Sequence, residues 1–330
     1  MIMSLKDRLT HFFHELNAFD WDRIGGRALK LDCMLSRMIY GTVVEEYIAL
    51  EFYRKNHRER KKFLTGVGQA SLLIRLLKNT TQEQRNRIFD KLQFDHFFGE
   101  FIHREYLDVS NSSDDEVIAF IQKHGAVLAK PLSETHGNGI FKIESSHVEP
   151  SDLAKIRAKK YLLEEIIVQH HEMAKPNPTS VNTVRIATAL DRDGHAHIIG
   201  ACLRCGARGS FVDNTHSGGV AYPINTEHGI VIAPGKNRST FEDLIIHPGS
   251  DVVMPGFRIP NWGILIDTVK KAAVKIPELP YLGWDIAVTE DGVEIIEGNW
   301  AHSVVGIQSD QIGKRQLVDQ VLFGKSSSEK

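Results

Sequence analysis

Along the first third of the chain apolar residues return every three or four positions, as in Tyr47, Leu50 and Tyr53 or Leu72, Leu73, Leu76 and Leu77. Proline is absent from Leu31 to Leu107. That spacing lines one face of a helix and predicts a mainly helical region over residues 1–110. The texture changes near Asn111, where Ser112, Ser113, Asp114, Asp115 and Glu116 carry the small polar and acidic residues of a helix start, with Gly125 as the stop. Short Val- and Ile-rich runs follow and read as strands: Ala126 to Lys130, Phe141 to Ile143, Tyr161 to Val168, Thr183 to Leu190, Ile198 to Leu203, Val220 to Pro223, and Asp285 to Val288 paired with Val293 to Glu297. Helical spacing returns at Ser151 to Lys160, Gly263 to Lys275 and Asp310 to Leu322, and the polar residues 325–330 are expected to fray. There is no internal repeat. The order of elements predicts an α+β protein.

Composition narrows the function classes. The chain has 330 residues, too many for one small core, and 40 Lys and Arg nearly cancel 42 Asp and Glu. A net charge of -2 gives no global electrostatic reason to expect a nucleic-acid partner. The basic run Arg54 to Lys62 reads as a solvated helix face. Three cysteines exclude a disulfide scaffold, and the Cys202-x-x-Cys205 pair lacks the second pair that zinc needs. Charged residues interrupt the amino-terminal apolar stretch, and no uncharged run is long enough to span a bilayer, so a cytoplasmic protein is expected.

Four stretches carry candidate chemistry. In the first, a strand ends at Lys130, a small-residue loop holds His136, Gly137, Asn138 and Gly139, and the next strand carries Lys142. Glycines let backbone N–H groups approach phosphate oxygens, and the lysines add point charge. The second, Gly283 to Asn299, reads as a hairpin. A three-residue loop, Glu290-Asp291-Gly292, with Gly292 left-handed, would make Asp285 face Glu297 and put Asn299 on the same side. Two carboxylates and an amide oxygen are hard ligands suited to Mg²⁺. A two-residue turn would send Asp285 to the other face. The third is Arg185, inside the strand that follows Ser180-Val181-Asn182. The fourth runs from Arg204-Cys205-Gly206 to Asn214, Ser217, Gly218 and Gly219, a turn suited to carboxylate or phosphoryl oxygens. No GxSxG, HExxH or GxGxxG signature occurs, which leaves hydrolase, metalloprotease and dinucleotide readings without support.

Taken in order, these pieces resemble the ATP-grasp fold, in which two α+β lobes clasp ATP. They are most similar to the sugar-transfer-associated ATP-grasp proteins, glutamate-ligase-like and found with polysaccharide assembly. The matching stretches are AVLAKP, THGNGIFK, YLLEEII, SVNTVRIATAL, RCG to NTHSGG, and WDIAVTEDGVEIIEGN. The resemblance implies a glycine-loop lobe over 111–180, a metal-bearing lobe over 181–324, and ATP and Mg²⁺ as cofactors. It implies that Lys130, Lys142 and the loop at Gly137 and Gly139, with His136 and Asn138, hold the phosphates, and that Glu164, Glu165, Ile166 and Ile167 form the adenine hinge. Arg185 would meet the γ-phosphate. Arg204, Asn214, Ser217, Gly218 and Gly219 would face the acceptor, and Asp285, Glu297 and Asn299 would carry the metal. The expected reaction is ADP-forming ligation of a small or sugar-linked carboxylate to an amine or other nucleophile. A sugar or glycan kinase and a non-catalytic nucleotide-binding module are the alternatives.

Overall fold

The computed structural model describes residues 5–132, 139–207, 209–210, 218–237 and 240–324. The expected helical front begins at α1 (Leu5–Ala18) and continues through α2 (Arg27–Tyr40), α3 (Val44–Ala49), α4 (His57–Arg60), α5 (Gly66–Leu77), α6 (Gln82–Phe89) and α7 (Lys91–Phe97). Side-chain caps start several of these. Asn56 accepts from Glu59 N while Glu59 reaches back to Asn56 N, and Thr65 and Thr81 accept from the backbone three residues on. Phe12, Leu16, Trp21, Tyr47 and Phe52 belong to its own hydrophobic core, rich in aromatic rings.

A four-stranded antiparallel sheet follows, in the order β1 (Tyr106–Asp108), β4 (Tyr161–Glu165), β2 (Ala126–Pro131) and β3 (Phe141–Glu144). The helices α8 (Asp114–His124) and α9 (Pro150–Ala158) cover one face, where Val127, Ala129, Ile143 and Leu163 meet Val117, Ile121 and Ile156. Alternation leaves Leu128, Lys130, Lys142 and Glu164 on the other face, because Leu128 stands opposite both Lys142 and Glu164. The expected strand to Val168 ends at Glu165, and a connection leads to the single turn α10 (His171–Ala174).

The second sheet has six antiparallel strands, ordered β12-β11-β5-β6-β7-β8, formed by β5 (Thr183–Leu190), β6 (Ala196–Cys205), β7 (Val220–Asn225), β8 (Ile230–Val231), β11 (Tyr281–Val288) and β12 (Val293–Asn299). A small ribbon, β9 (Gly235–Lys236) with β10 (Asp243–Leu244), forms its own two-stranded sheet and packs on β7, where Gly235 lies against Val220 and Tyr222. Helix α11 (Trp262–Val274) buries Val184, Ile186, Trp284 and Ile286 on one face. The other face is divided. At one end Ala187, Ala189 and Tyr281 are covered by α5 and α12 (Arg315–Phe323), and at the other end the strands carry charge.

The helical front is fastened to this second sheet's carboxyl-terminal segment. Buried Gln308 accepts from Leu64 N and Lys314 N, at 2.9 Å each, and donates to Leu64 O and Val304 O. Gly313 makes room, since a Cβ there would lie 2.4 Å from the Lys62 backbone. The last helix starts at Arg315 rather than Asp310, after a 3₁₀ turn at Gly306–Gln308.

Candidate functional site

Register builds the charged end of the second sheet. Arg185 on β5 stands opposite Asp285 on β11, Asp285 opposite Glu297 on β12, and Arg185 opposite Cys202, two residues before Arg204 on β6. Four charged side chains therefore project from neighbouring strands to one face. Asp285 is gripped from both sides: Arg185 donates through Nε and Nη2, and Arg204 Nη1 donates to Oδ2 at 2.7 Å. Burial opposes ionisation of Asp285, but Arg185 and Arg204 overcome it and hold its carboxyl well below the usual carboxylate range. Glu297 is different. Its carboxylate is half-exposed, lies 4.0 Å from Arg185 Nη2 and accepts from Asn299 Nδ2 at 3.0 Å. Reduced hydration and the Asp285 charge push its pKa up.

Asp285 does face Glu297, but not through the three-residue loop expected. Val288 pairs with Val293, Thr289 N donates to Gly292 O, and Gly292 is not left-handed, so the turn closes tightly around Glu290 and Asp291. The lost residue is recovered by an irregularity at Ile296, because Asp285 pairs with Glu297 while Ile286 pairs with Ile295. This bulge also brings Glu294 and Glu297, three residues apart, to the same side of the sheet.

Glu294 belongs to a second cluster, which joins the two sheets. Buried Arg104 donates from Nε to Glu164 at 2.8 Å, from Nη1 to Glu294 at 2.7 Å and from Nη2 to Asp95 at 3.3 Å. Lys130 makes a short ion pair to the same Glu164 oxygen that Arg104 holds. Burial would raise the pKa of Glu164, yet Lys130 and Arg104 bring it down to about 2. Asp95 shows the reverse balance: burial outweighs Arg104 and, with Glu164 nearby, lifts it to about 7. Its Oδ2 has no partner among the described residues.

Glu165 does not share the face of Lys130; its side chain accepts from Glu105 N at 3.1 Å on the opposite side, as strand alternation requires. Arg185 and Arg204 both bind Asp285 within one sheet. Lys142 is on the face of Lys130, exposed, and reaches Glu144 at 2.7 Å. Ile166 and Ile167 follow the end of β4, and their backbones pair with no strand among the described residues. Gly139 is left-handed at φ +75° and its carbonyl accepts from Tyr161 Oη at 3.1 Å. Gly218 is left-handed too, and Gly219 leads into β7. His136, Gly137, Asn138, Asn214 and Ser217 lie outside the described residues.

Sequence reasoning missed Asp95, Glu294 and His302. Glu294 had a signal, a carboxylate set in the apolar run Val293 to Ile296. His302 had none. It is buried against Gly283, where a Cβ would lie 2.6 Å from its own, and neither ring nitrogen has a hydrogen-bond partner among the described residues. Burial and the charge of Arg185 push its pKa down to about 3, so the ring is neutral.

Two antiparallel α+β lobes with cations on the inner face of one and an arginine and carboxylate set on the other define the ATP-grasp class. The profile of the sugar-transfer associated ATP-grasp family matches residues 108–321, more than half of the chain. The chain belongs to that family. Among solved structures it is similar to the ATP-grasp ligase PsnB complexed with minimal precursor, Mg and ADP, at 15% identity and TM-score 0.41 over 69% of this chain and 54% of that one. It is also similar to D-alanyl-alanine synthetase A from Vibrio cholerae O1 biovar eltor, at 12% identity and TM-score 0.41 over 66% and 56%. N5-carboxyaminoimidazole ribonucleotide synthetase from Thermotoga maritima matches at 12% and 0.38 over 65% and 42%. The chain thus spans between two fifths and three fifths of these three relatives. Among curated proteins, none matches.

Proposed function

We propose that the protein is an ATP-dependent, ADP-forming ligase that activates a carboxylate for attack by an amine or another nucleophile, in the assembly of a polysaccharide or related conjugate. The observation that carries this reading is the Asp285–Glu297 pair on adjacent strands, flanked by Arg185 and Arg204, in a chain of the ATP-grasp family. Lys130, Lys142 and the loop around Gly139 hold the triphosphate, and the backbone of Ile166 and Ile167 reads the adenine edge. Asp285, Glu297 and Asn299 would hold Mg²⁺. The donor set fits, because its oxygens share one face and two neighbouring carboxylates, one with a raised pKa, are eased by a cation. Bound there, the ion supplies charge neutralisation for the phosphates.

The substrate carboxylate oxygen forms a bond to the γ-phosphorus as the bond to the bridging oxygen of ADP breaks. The nucleophile then attacks the acyl carbon, and inorganic phosphate leaves. Arg185 and Arg204 frame the transferring phosphoryl group, which asks the protein for positioning and positive charge. Gly218 and Gly219, with Asn214 and Ser217, would face the acceptor. The lobes divide this work, residues 111–180 carrying the glycine loop and 181–324 the metal. The test is incubation with ATP, Mg²⁺, hydroxylamine and candidate sugar-linked carboxylates. A hydroxamate with stoichiometric ADP supports the ligase; a phosphorylated hydroxyl without hydroxamate would replace it with a kinase.

A further inference from the structure

Helix α2 carries its apolar stripe on the outside. Its inner face holds Cys33 and Ser36, with Asp32 beside them bonded to Arg60. The outer face carries Ala28, Leu31, Leu35, Met38 and Ile39, which at helical spacing fall within an arc of about 100°. Met38 is 83% exposed, Leu31 and Ile39 60% each and Leu35 46%. No charged residue falls inside that arc.

The surface continues onto α5. Gly41, the left-handed cap of α2, lies so close to Val67 that a Cβ there would come within 2.7 Å of it, and Thr65 Oγ1 donates to Tyr40 O at 2.8 Å. Val67 and, two turns on, Ile74 are exposed, the latter by 70%. Six exposed apolar side chains on two helices that meet at Gly41 and Val67 mark an interaction site, unlike singly scattered exposed residues.

Charge indicates what covers it. Arg27 stands one turn before Leu31 and Lys78 one turn after Ile74, both exposed. Helix α4, held against the inner side of α2 by Arg60–Asp32 and by Tyr40–His57, adds exposed Arg58, Lys61 and Lys62 to the charge of the same helical front. Residues 1–90 hold 16 Lys and Arg against 11 Asp and Glu, whereas the other 240 residues hold 24 against 31. Near neutrality of the whole chain conceals a basic front. Apolar residues bordered by basic ones suit an acyl boundary under anionic headgroups, whereas a second copy would bring two basic fronts together.

We propose that the outer face of α2 with Val67 and Ile74 of α5 docks peripherally on a bilayer containing anionic phospholipid. The protein would lie on the surface, since no helix among the described residues is long and apolar enough to cross it. The test is co-sedimentation of the full chain with phosphatidylcholine vesicles with and without phosphatidylglycerol. Binding is expected only with phosphatidylglycerol, weakening as salt rises and falling about ten-fold or more in a Leu35→Asp, Met38→Asp variant. Both positions are exposed, and an unchanged circular dichroism melt shows that the variant is folded. Arg27→Glu with Lys78→Glu, outside the apolar arc, should also cut binding. Absence of sedimentation, sedimentation indifferent to phosphatidylglycerol, or wild-type binding by both variants overturns the proposal. So does a dimer in light scattering that Met38→Asp dissociates, which would give the face to a second copy.

Discussion

Two arginine–carboxylate clusters share one face of the six-stranded sheet with opposite proportions. At Arg104 one guanidinium is held by three carboxylates, Asp95, Glu164 and Glu294, all buried. At Asp285 one carboxylate is held by two guanidiniums, with Glu297 half-exposed beside it. The first joins elements from both lobes and has almost no contact with water. The second leaves a carboxylate with room for another ligand. The same residue types thus form a closed clamp in one place and, in the other, the open cluster to which the proposed chemistry is assigned, and solvent access separates the two.

Removing the centre of the clamp should have the largest effect. Arg104→Met leaves buried Asp95 and Glu294 without their cation and Glu164 with Lys130 alone, and is expected to cost about 3–5 kcal/mol in urea unfolding. A loss below about 1 kcal/mol would mean that the cluster does not hold the lobes. The reactive cluster should behave in the opposite way. Glu297→Gln, at a half-exposed position, should leave the melting temperature nearly unchanged while ADP formation falls by about 10²–10³-fold. Wild-type turnover by that variant would remove Glu297 from the proposed metal site.

Lys130 touches the clamp and faces the proposed nucleotide. Lys130→Ala is expected to weaken ADP binding about ten-fold in calorimetry, through loss of a cation beside the phosphates. Unchanged affinity would leave Lys130 as a partner of Glu164 alone.

The smallest effect is a pH slope. Because Asp95 is raised from 3.8 to about 7, the folded protein holds its proton more tightly than the unfolded chain does. The stability this confers is complete below about pH 4 and is lost as pH rises through 7. Asp95→Asn removes that slope and should be more stable than wild type by about 1–2 kcal/mol at about pH 8, and by less at about pH 5. Equal slopes in the two proteins would show that Asp95 is ionised throughout.

Much of the second sheet was legible because its strands alternate and one face must be buried. Trp284, Ile286 and Val184, Ile186 fix which residues point inward, so Asp285 and Arg185 had to point the other way. The hairpin shows where such reasoning stops. The pattern required Asp285 to oppose Glu297, but a bulge at Ile296 does the work assigned to a longer turn. Backbone irregularity leaves little trace in the alternation of two isoleucines. The clamp was less visible still, since Asp95, Arg104, Glu164 and Glu294 come from four separated segments.

The sequence by itself determined the helical front, the two runs of strands, the lysines and carboxylates at their ends and the family to which the chain belongs. Those features are local, written in spacing, caps and turn residues. Only the tertiary structure decided which carboxylates are held closed and which stay open, and that α2 presents Leu31, Leu35 and Met38 outward. Periodicity says that a helix has an apolar stripe, but which way the stripe faces depends on what packs beneath it. In α2 the inner side is taken by Arg60, Asp32 and Ser36.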